Sequence, residues 1–334
     1  MAAVYSDVLQ MIGNTRMLEL ERFDTGLCTL LLKLECDNPS GSIKDRTALA
    51  MIEAAEQDGS LSPGDTLVEA TAGNTGLGLA LVASAKGYRL LLVIPDKMSE
   101  EKIAHLRAMG TEVRLTRSDV HKGHPDHYQE LAERLAAERR GFYVNQFANP
   151  ANPLAHEQGT GPEIWEQAEQ RVDAVVVGVG SGGTATGLGR FFARVSPQTE
   201  IVLADPEGSI LAPLKQTGEA GRLGSWLVEG IGEDFVPPNL DLSLVDRAYS
   251  IPDEESFAAA WSLLAREGIL AGSSTGTLLA AALRYCREQT TAKRVVTLAC
   301  DTGNKYLSKM YSEHWMTEHG FAIGGDRDDR GGGI

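Results

Sequence analysis

Asn38-Pro-Ser-Gly-Ser-Ile-Lys44-Asp-Arg-Thr47 joins a strand-like run, Thr29 to Cys36, to a helical segment beginning near Lys44. A proline and a glycine within five residues impose a turn, and Ser42 is placed to cap the helix that follows. Lys44 therefore stands at the positive end of a helix, where the dipole disfavours a cation. The same penalty favours the uncharged amine, the form that condenses with an aldehyde. Taken alone, such a lysine reads first as a solvated surface residue. The rest of the chain changes that reading.

With 334 residues, 43% of them hydrophobic, the chain has material for roughly two ordinary domains and a sizeable core. A net charge of -15 argues against nonspecific nucleic-acid binding, which depends on lysine and arginine neutralising phosphates. No run is long and apolar enough to span a bilayer, so no membrane partner is expected. Residues 1–7 lack the basic and apolar regions of a signal peptide. Cys28, Cys36, Cys286 and Cys300 are scattered, without a C-x-x-C pair. A cytoplasmic, disulfide-free protein is the expected class.

Strand-like and helical runs alternate almost throughout. After the Lys44 helix come Thr66-Ala70, a helix from Asn74 to Lys86, Arg89-Pro95, a helix through Lys102-Met109, Thr111-Thr116, a helix near His127-Arg140 and Phe142-Val144. The rhythm resumes with Ala174-Val179, a helix from Thr184, Glu200-Ala204, the helix Glu254-Arg266, Ala271 as a strand end, a helix from Thr277 and Arg294-Cys300. Short, continuously apolar strands separated by helices are the pattern of parallel sheets covered on both faces. The expected fold is α/β, with two layered domains and a ligand cleft between them. His121, His124 and His127 recur at three-residue spacing, but Gly123 and Pro125 break any helix that would align them as ligands, and no metal is expected.

Three strand-to-helix turns carry the candidate chemistry. Thr71-Ala-Gly-Asn-Thr-Gly76 follows an apolar strand and opens a helix, so its amides and the helix terminus suit an anion. Gly178-Val-Gly-Ser-Gly-Gly-Thr184 repeats the arrangement after the strongest strand in the chain. It departs from G-x-G-x-x-G, which leaves a nicotinamide site only weakly supported. Gly272-Ser-Ser-Thr-Gly276 is a third such turn, rich in hydroxyls.

Together, Asn38-Pro-Ser-Gly-Ser-Ile-Lys44-Asp-Arg46, Thr71-Ala-Gly-Asn-Thr-Gly76 and Gly180-Ser-Gly-Gly-Thr184 resemble the Schiff-base, substrate-carboxylate and phosphate loops of the cysteine synthase/cystathionine β-synthase family, type II pyridoxal-phosphate enzymes. The resemblance runs from about Leu9 to Phe321. Asp205-Pro-Glu-Gly-Ser-Ile210, Val228-Glu-Gly-Ile-Gly-Glu-Asp-Phe235, Pro95-Asp-Lys-Met-Ser99 and Tyr306-Leu-Ser-Lys-Met-Tyr311 with Trp315-Met316 lean toward the cystathionine β-synthase branch. Asn145-Gln-Phe-Ala-Asn-Pro-Ala-Asn-Pro153 is closer to the O-acetylserine sulfhydrylases, which carry Phe where the animal cystathionine enzymes tend to carry Tyr.

The resemblance implies that Lys44 bonds pyridoxal 5'-phosphate and then shuttles the substrate's α-proton. Asn74 would hydrogen-bond the ring hydroxyl, and Gly180, Ser181, Gly182, Gly183 and Thr184 would hold the phosphate. Thr71, Gly73, Thr75 and Gln146 would grip the substrate carboxylate, Ser274 would meet the pyridine nitrogen, and Gly230 would lie near the cleft mouth. Ala72 replaces the usual Ser and Ser273 the more usual Gly. The implied division is a larger cofactor domain from 1–43 and 146–321, a smaller domain 44–145, and a flexible tail 322–334. The heme-binding extension and adenosyl-binding modules of some relatives are not visible, so a catalytic core is expected unless the tail is a truncated linker.

The implied reaction is β-replacement on serine or an activated serine by a thiol, most readily homocysteine giving cystathionine, in a homodimer acting on small amino-acid and thiol substrates. A cysteine synthase using sulfide is the alternative within the family. An alternative of another class is a non-catalytic nucleotide- or anion-binding module, in which Lys44 is an ordinary surface lysine.

Overall fold

The computed structural model describes residues 4–71, 73–96, 100–120 and 123–322. Ala72, His121 and residues 323–334 of the expected tail lie outside them.

The chain begins its regular structure with β1 (Met17–Glu19) and β2 (Thr29–Lys33), an antiparallel pair. There follow α1 (Lys44–Gln57), β3 (Thr66–Ala70), α2 (Asn74–Lys86), β4 (Arg89–Pro95), α3 (Glu100–Ala108), β5 (Glu112–Thr116), α4 (Tyr128–Arg139) and β6 (Phe142–Tyr143). Next come α5 (Ala151–Ala155), a π-helical segment His156–Thr160, and α6 (Gly161–Gln167). The chain continues through β7 (Ala174–Val177), α7 (Gly183–Val195), β8 (Glu200–Pro206), α8 (Leu211–Thr217), β9 (Arg247–Ile251), α9 (Asp253–Glu267), α10 (Ser273–Arg287), β10 (Arg294–Leu298) and α11 (Glu313–Glu318).

Two compact units result, one of residues 4–13 with Asn38–Ala155, the other of Asn14–Asp37 with residues 156–322. The smaller holds a four-stranded parallel sheet in the order β5-β4-β3-β6. Both of its faces are covered, and the period-two alternation of strand side chains sorts the core. Leu67, Leu90, Leu92 and Ile94 pack with Met51, Ile52, Leu79 and Val82 of α1 and α2. Val68, Ala70, Leu91 and Val93 pack with Leu131, Ala132 and Ala136 of α4. A strand apolar on both faces is what the continuous run Arg89-Pro95 encodes.

The larger unit holds a six-stranded sheet, β1-β2-β10-β7-β8-β9, parallel except at β1. Its centre is fully apolar: Val296 pairs with Leu31 on one side and Val175 on the other, all buried. The edge strands β1 and β9 are absent from the sequence expectation. Each is partly exposed, and Met-Leu-Glu and Arg-Ala-Tyr-Ser-Ile carry little of the apolar run that marks interior strands. The result is the expected mixed α/β fold with mostly parallel sheets.

Two helix starts differ from expectation. Ile43, not Ser42, is the N-cap of α1, and the Ser42 hydroxyl accepts the Lys44 N–H at 3.3 Å. Helix α10 begins at Ser273 rather than Thr277, with extended Gly272 as its cap. Serine and threonine are poor helix-interior residues when their hydroxyls compete for nearby backbone. Here the Ser273 hydroxyl accepts Glu229 N–H at 2.9 Å and the Thr275 hydroxyl accepts Cys300 N–H at 3.1 Å. Distant partners thus occupy the groups that would otherwise unwind the first turn.

Candidate active site

In the smaller unit, Lys44 is the first residue of α1 and half-buried. The turn before it is cross-braced: Ser40 N–H donates to Asp45 Oδ2 at 2.7 Å, and the Ser40 hydroxyl bonds the other oxygen of that buried carboxylate. Asp45 in the first turn also suits the positive helix end. Helix α2 packs closely on this turn. A Cβ added at Gly78 would lie 3.0 Å from the Lys44 carbonyl oxygen and 3.2 Å from Ala48 Cβ, so glycine permits the contact that fixes the backbone carrying the amine.

Thr71, Gly73, Asn74 and Thr75 form the turn into α2, and the fold brings Gln146 to them. The Thr75 hydroxyl donates to Gln146 Oε1 at 2.6 Å, and Gly73 N–H donates to Thr71 Oγ1 at 3.2 Å. Gly73 caps the helix without a side-chain bond. Gln146 is held in turn: its carbonyl accepts from Asn152 Nδ2 at 2.7 Å, and its N–H donates to Glu69 Oε2 at 3.0 Å. Glu69 is absent from the sequence-derived set. Its signal is visible in hindsight, an acid in an otherwise continuously apolar strand. Burial pushes its carboxyl up to about 7, against the lowering effect of the Ala70, Gln146 and Asn145 N–H groups.

In the larger unit, Gly180, Ser181, Gly182, Gly183 and Thr184 form the turn from β7 into α7. Gly182 caps α7 without a side-chain bond, and no acid occupies the first turn. Gly230 crosses directly over this turn: a Cβ added at Gly180 would fall 2.6 Å from the Gly230 carbonyl oxygen. The Gly230 segment is tied down by Gly232 N–H to Val179 O at 2.9 Å and by Leu227 and Val228 N–H to the Asp253 carboxylate. The sequence-derived set also lacks His156, a buried residue of the π-helical segment whose Nε2 is 3.3 Å from Thr184 Oγ1. Nothing local in the sequence points to it.

Ser274 lies in the first turn of α10, buried. The surrounding hydroxyls are spent: Ser273 on Glu229 N–H, Thr275 on Cys300 N–H, and Thr277 on the Ser256 hydroxyl at 2.8 Å. Among the described residues, the Ser274 hydroxyl has no protein partner. Glu229, next to Gly230, is ion-paired with Lys309. His124 and His127 have local partners, the Asp126 N–H and the Glu130 carboxylate.

The donors fit pyridoxal phosphate. An uncapped helix terminus with backbone N–H groups and hydroxyls matches a phosphate, and a buried neutral hydroxyl matches a pyridine nitrogen.

Comparison with known proteins agrees with this chemistry. The family described as pyridoxal-phosphate dependent enzyme matches residues 8–301. Cystathionine beta-synthase of Mus musculus is 42% identical over 95% of this chain and 57% of its own length, so this chain spans somewhat over half of that relative. Cysteine synthase A of Salmonella typhi is 40% identical over 95% of this chain and 98% of its own. The crystal structure of O-ureido-L-serine synthase superposes with a TM-score of 0.87 at 32% identity, covering 99% of this chain and 100% of that one.

Proposed function

This chain belongs to the pyridoxal-phosphate-dependent enzymes, and from that premise we propose that it catalyses β-replacement on serine or an activated serine, with homocysteine as the thiol and cystathionine as the product. Membership in an enzyme family sets aside the non-catalytic anion-binding module. The observation that carries the reaction class is the Ser274 hydroxyl, a neutral group in the first turn of α10 that has no protein partner among the described residues.

When bound, pyridoxal phosphate supplies an electron sink for bond-breaking at the substrate's Cα. A carboxylate against the pyridine nitrogen would keep it protonated and deepen that sink. A serine hydroxyl does not, which favours loss of a β-substituent over transamination. Gly180, Ser181, Gly182, Gly183 and Thr184 hold the phosphate, and Asn74 bonds the ring hydroxyl. Thr71, Gly73, Thr75 and Gln146 orient the substrate carboxylate. Lys44 Nζ would hold the cofactor through its aldehyde; released when the substrate's amine takes its place, the free Lys44 amine would accept the α-proton and return it after the thiol has added at Cβ. Gly230, above the Gly180 turn, borders the thiol's approach.

The Glu229–Lys309 pair supports a thiol that is itself an amino acid. Both side chains are partly exposed, and exposed ion pairs are worth only about 0–1 kcal/mol. A zwitterion can therefore separate them at little cost, its ammonium on Glu229 and its carboxylate on Lys309. Sulfide has no use for either charge. A specific observation favours the second reading, cysteine synthase: cysteine synthase A is 40% identical over 95% of this chain, nearly the identity of the cystathionine enzymes. The homodimer and the cytoplasmic location belong to the same proposal. Among the described residues, no helix is long and apolar enough to cross a membrane.

The deciding experiment incubates the holoenzyme with L-serine, or with O-acetyl-L-serine, and with homocysteine or sulfide at matched pH. A higher kcat/KM for cystathionine than for cysteine from one donor is expected. The opposite ranking would make the protein a cysteine synthase.

A further inference from the structure

Glu69 is the anomaly of the smaller unit. It lies in β3 between Leu67 and Ala70, pairs across the sheet with Leu92, and is only 1% exposed. A carboxylate in such surroundings is costly unless hydrogen bonds compensate it. Here they converge on it: Oε1 accepts Ala70 N–H at 2.8 Å, Oε2 accepts Gln146 N–H at 3.0 Å, and Asn145 N–H adds a third. The last two come from a turn in which Asn145 adopts a positive φ of 53°. That left-handed conformation is unfavourable for any residue but glycine, though asparagine tolerates it best. The turn is thus bent toward an internal anion supplied by a strand 77 positions away in sequence.

The chain of contacts continues outward. The residue whose N–H meets Glu69 is Gln146, and its side-chain oxygen meets the Thr75 hydroxyl in the first turn of α2. We propose that Glu69 is a positioning residue for recognition of the substrate's carboxylate, holding the Asn145–Gln146 turn so that Gln146 and Thr75 present one fixed pair of polar groups. This rests on the reading of Thr71, Gly73, Thr75 and Gln146 as the carboxylate-binding set. Glu69 does not touch the substrate. Tyr143 of β6 is in electrostatic contact with Glu69, and Tyr128, Glu130 and Glu133, near the opposite face of the sheet, act in turn on Tyr143.

The test separates recognition of a carboxylate from general binding. Calorimetry on the holoenzyme compares L-alanine, which has a carboxylate, with L-alaninamide, which lacks one. In Glu69→Gln an amide NH2 faces the donors, and the affinity ratio of L-alanine to L-alaninamide should fall about tenfold, the worth of a hydrogen bond to a charged group. Affinity for L-alaninamide itself should stay constant, which a merely structural role would not produce. Glu69→Asp keeps the charge but draws it back from the turn. It should lower the same ratio by a smaller factor, and it carries the test if Glu69→Gln does not fold. Equal weakening of both ligands, or an unchanged ratio in the Glu69 variants, overturns the proposal. Gln146→Ala is the control for the premise. If it too leaves the ratio unchanged, the carboxylate-binding set is misassigned and the proposal falls with it; if it alone lowers the ratio, only the role of Glu69 fails.

Discussion

The starts of α2 and α7 look alike in sequence, yet the structure builds them by opposite means. Each is a glycine-bearing turn after a buried parallel strand, and each opens a helix with no side-chain cap. At α2 the polar groups are side chains, and they are braced from below: Thr75 leans on Gln146, whose backbone leans on the buried Glu69 carboxylate. At α7 the groups are chiefly backbone, and they are braced from above by the Gly230 segment. A site made of side chains on a titratable support can discriminate between ligands and responds to pH. A site made of backbone is indifferent to both, which suits a resident phosphate.

The largest expected effect separates holding the cofactor from using it. Lys44→Ala should fold and retain pyridoxal phosphate through the α7 turn, while turnover falls about 10²–10⁴-fold, the usual worth of a positioned acid–base group. Borohydride reduction of the unmodified protein should place the cofactor on a peptide containing Lys44. A label on another lysine would break the assignment.

Next comes the titratable support. Because burial raises the Glu69 carboxyl from the ordinary 4.5 to about 7, the folded protein binds more protons than the unfolded chain between those values. Stability contributed by this group is therefore full below pH 4.5 and declines as pH rises through 7, by on the order of 3 kcal/mol. Glu69→Gln should flatten that part of the stability–pH curve in chemical denaturation. Parallel curves for the two proteins would show that the carboxyl titrates normally.

The backbone site should respond to volume rather than to charge. Gly180→Ala forces a methyl against the Gly230 carbonyl and should weaken cofactor retention by about 1–3 kcal/mol, as overpacking does elsewhere. Cofactor loss on dialysis measures this, and full retention would mean the Gly230 segment yields freely. The smallest effect is at α10. Ser274→Ala should cost about 0.5–1.5 kcal/mol of cofactor affinity, one neutral hydrogen bond. Unchanged affinity and spectrum would remove Ser274 from the pyridine nitrogen.

The sequence by itself determined the alternation of apolar strands and helices, the three glycine-bearing turns that begin α2, α7 and α10, and the place of Lys44 at a helix start. These are local properties, fixed by side-chain periodicity and by the few residues that tolerate a tight turn. The edge strands β1 and β9 escaped that reading because a half-exposed strand has no continuous apolar run. Only the tertiary structure decided which polar groups are spent. Ser273 and Thr275 were drawn into α10 by the N–H groups of Glu229 and Cys300, leaving the Ser274 hydroxyl between them without a protein partner among the described residues. Glu69 met Gln146, and Lys309 took Glu229. Most buried hydrogen-bonding groups take whatever partner the packed chain brings, and that partner is set by the folding of distant strands, not by the neighbours in sequence.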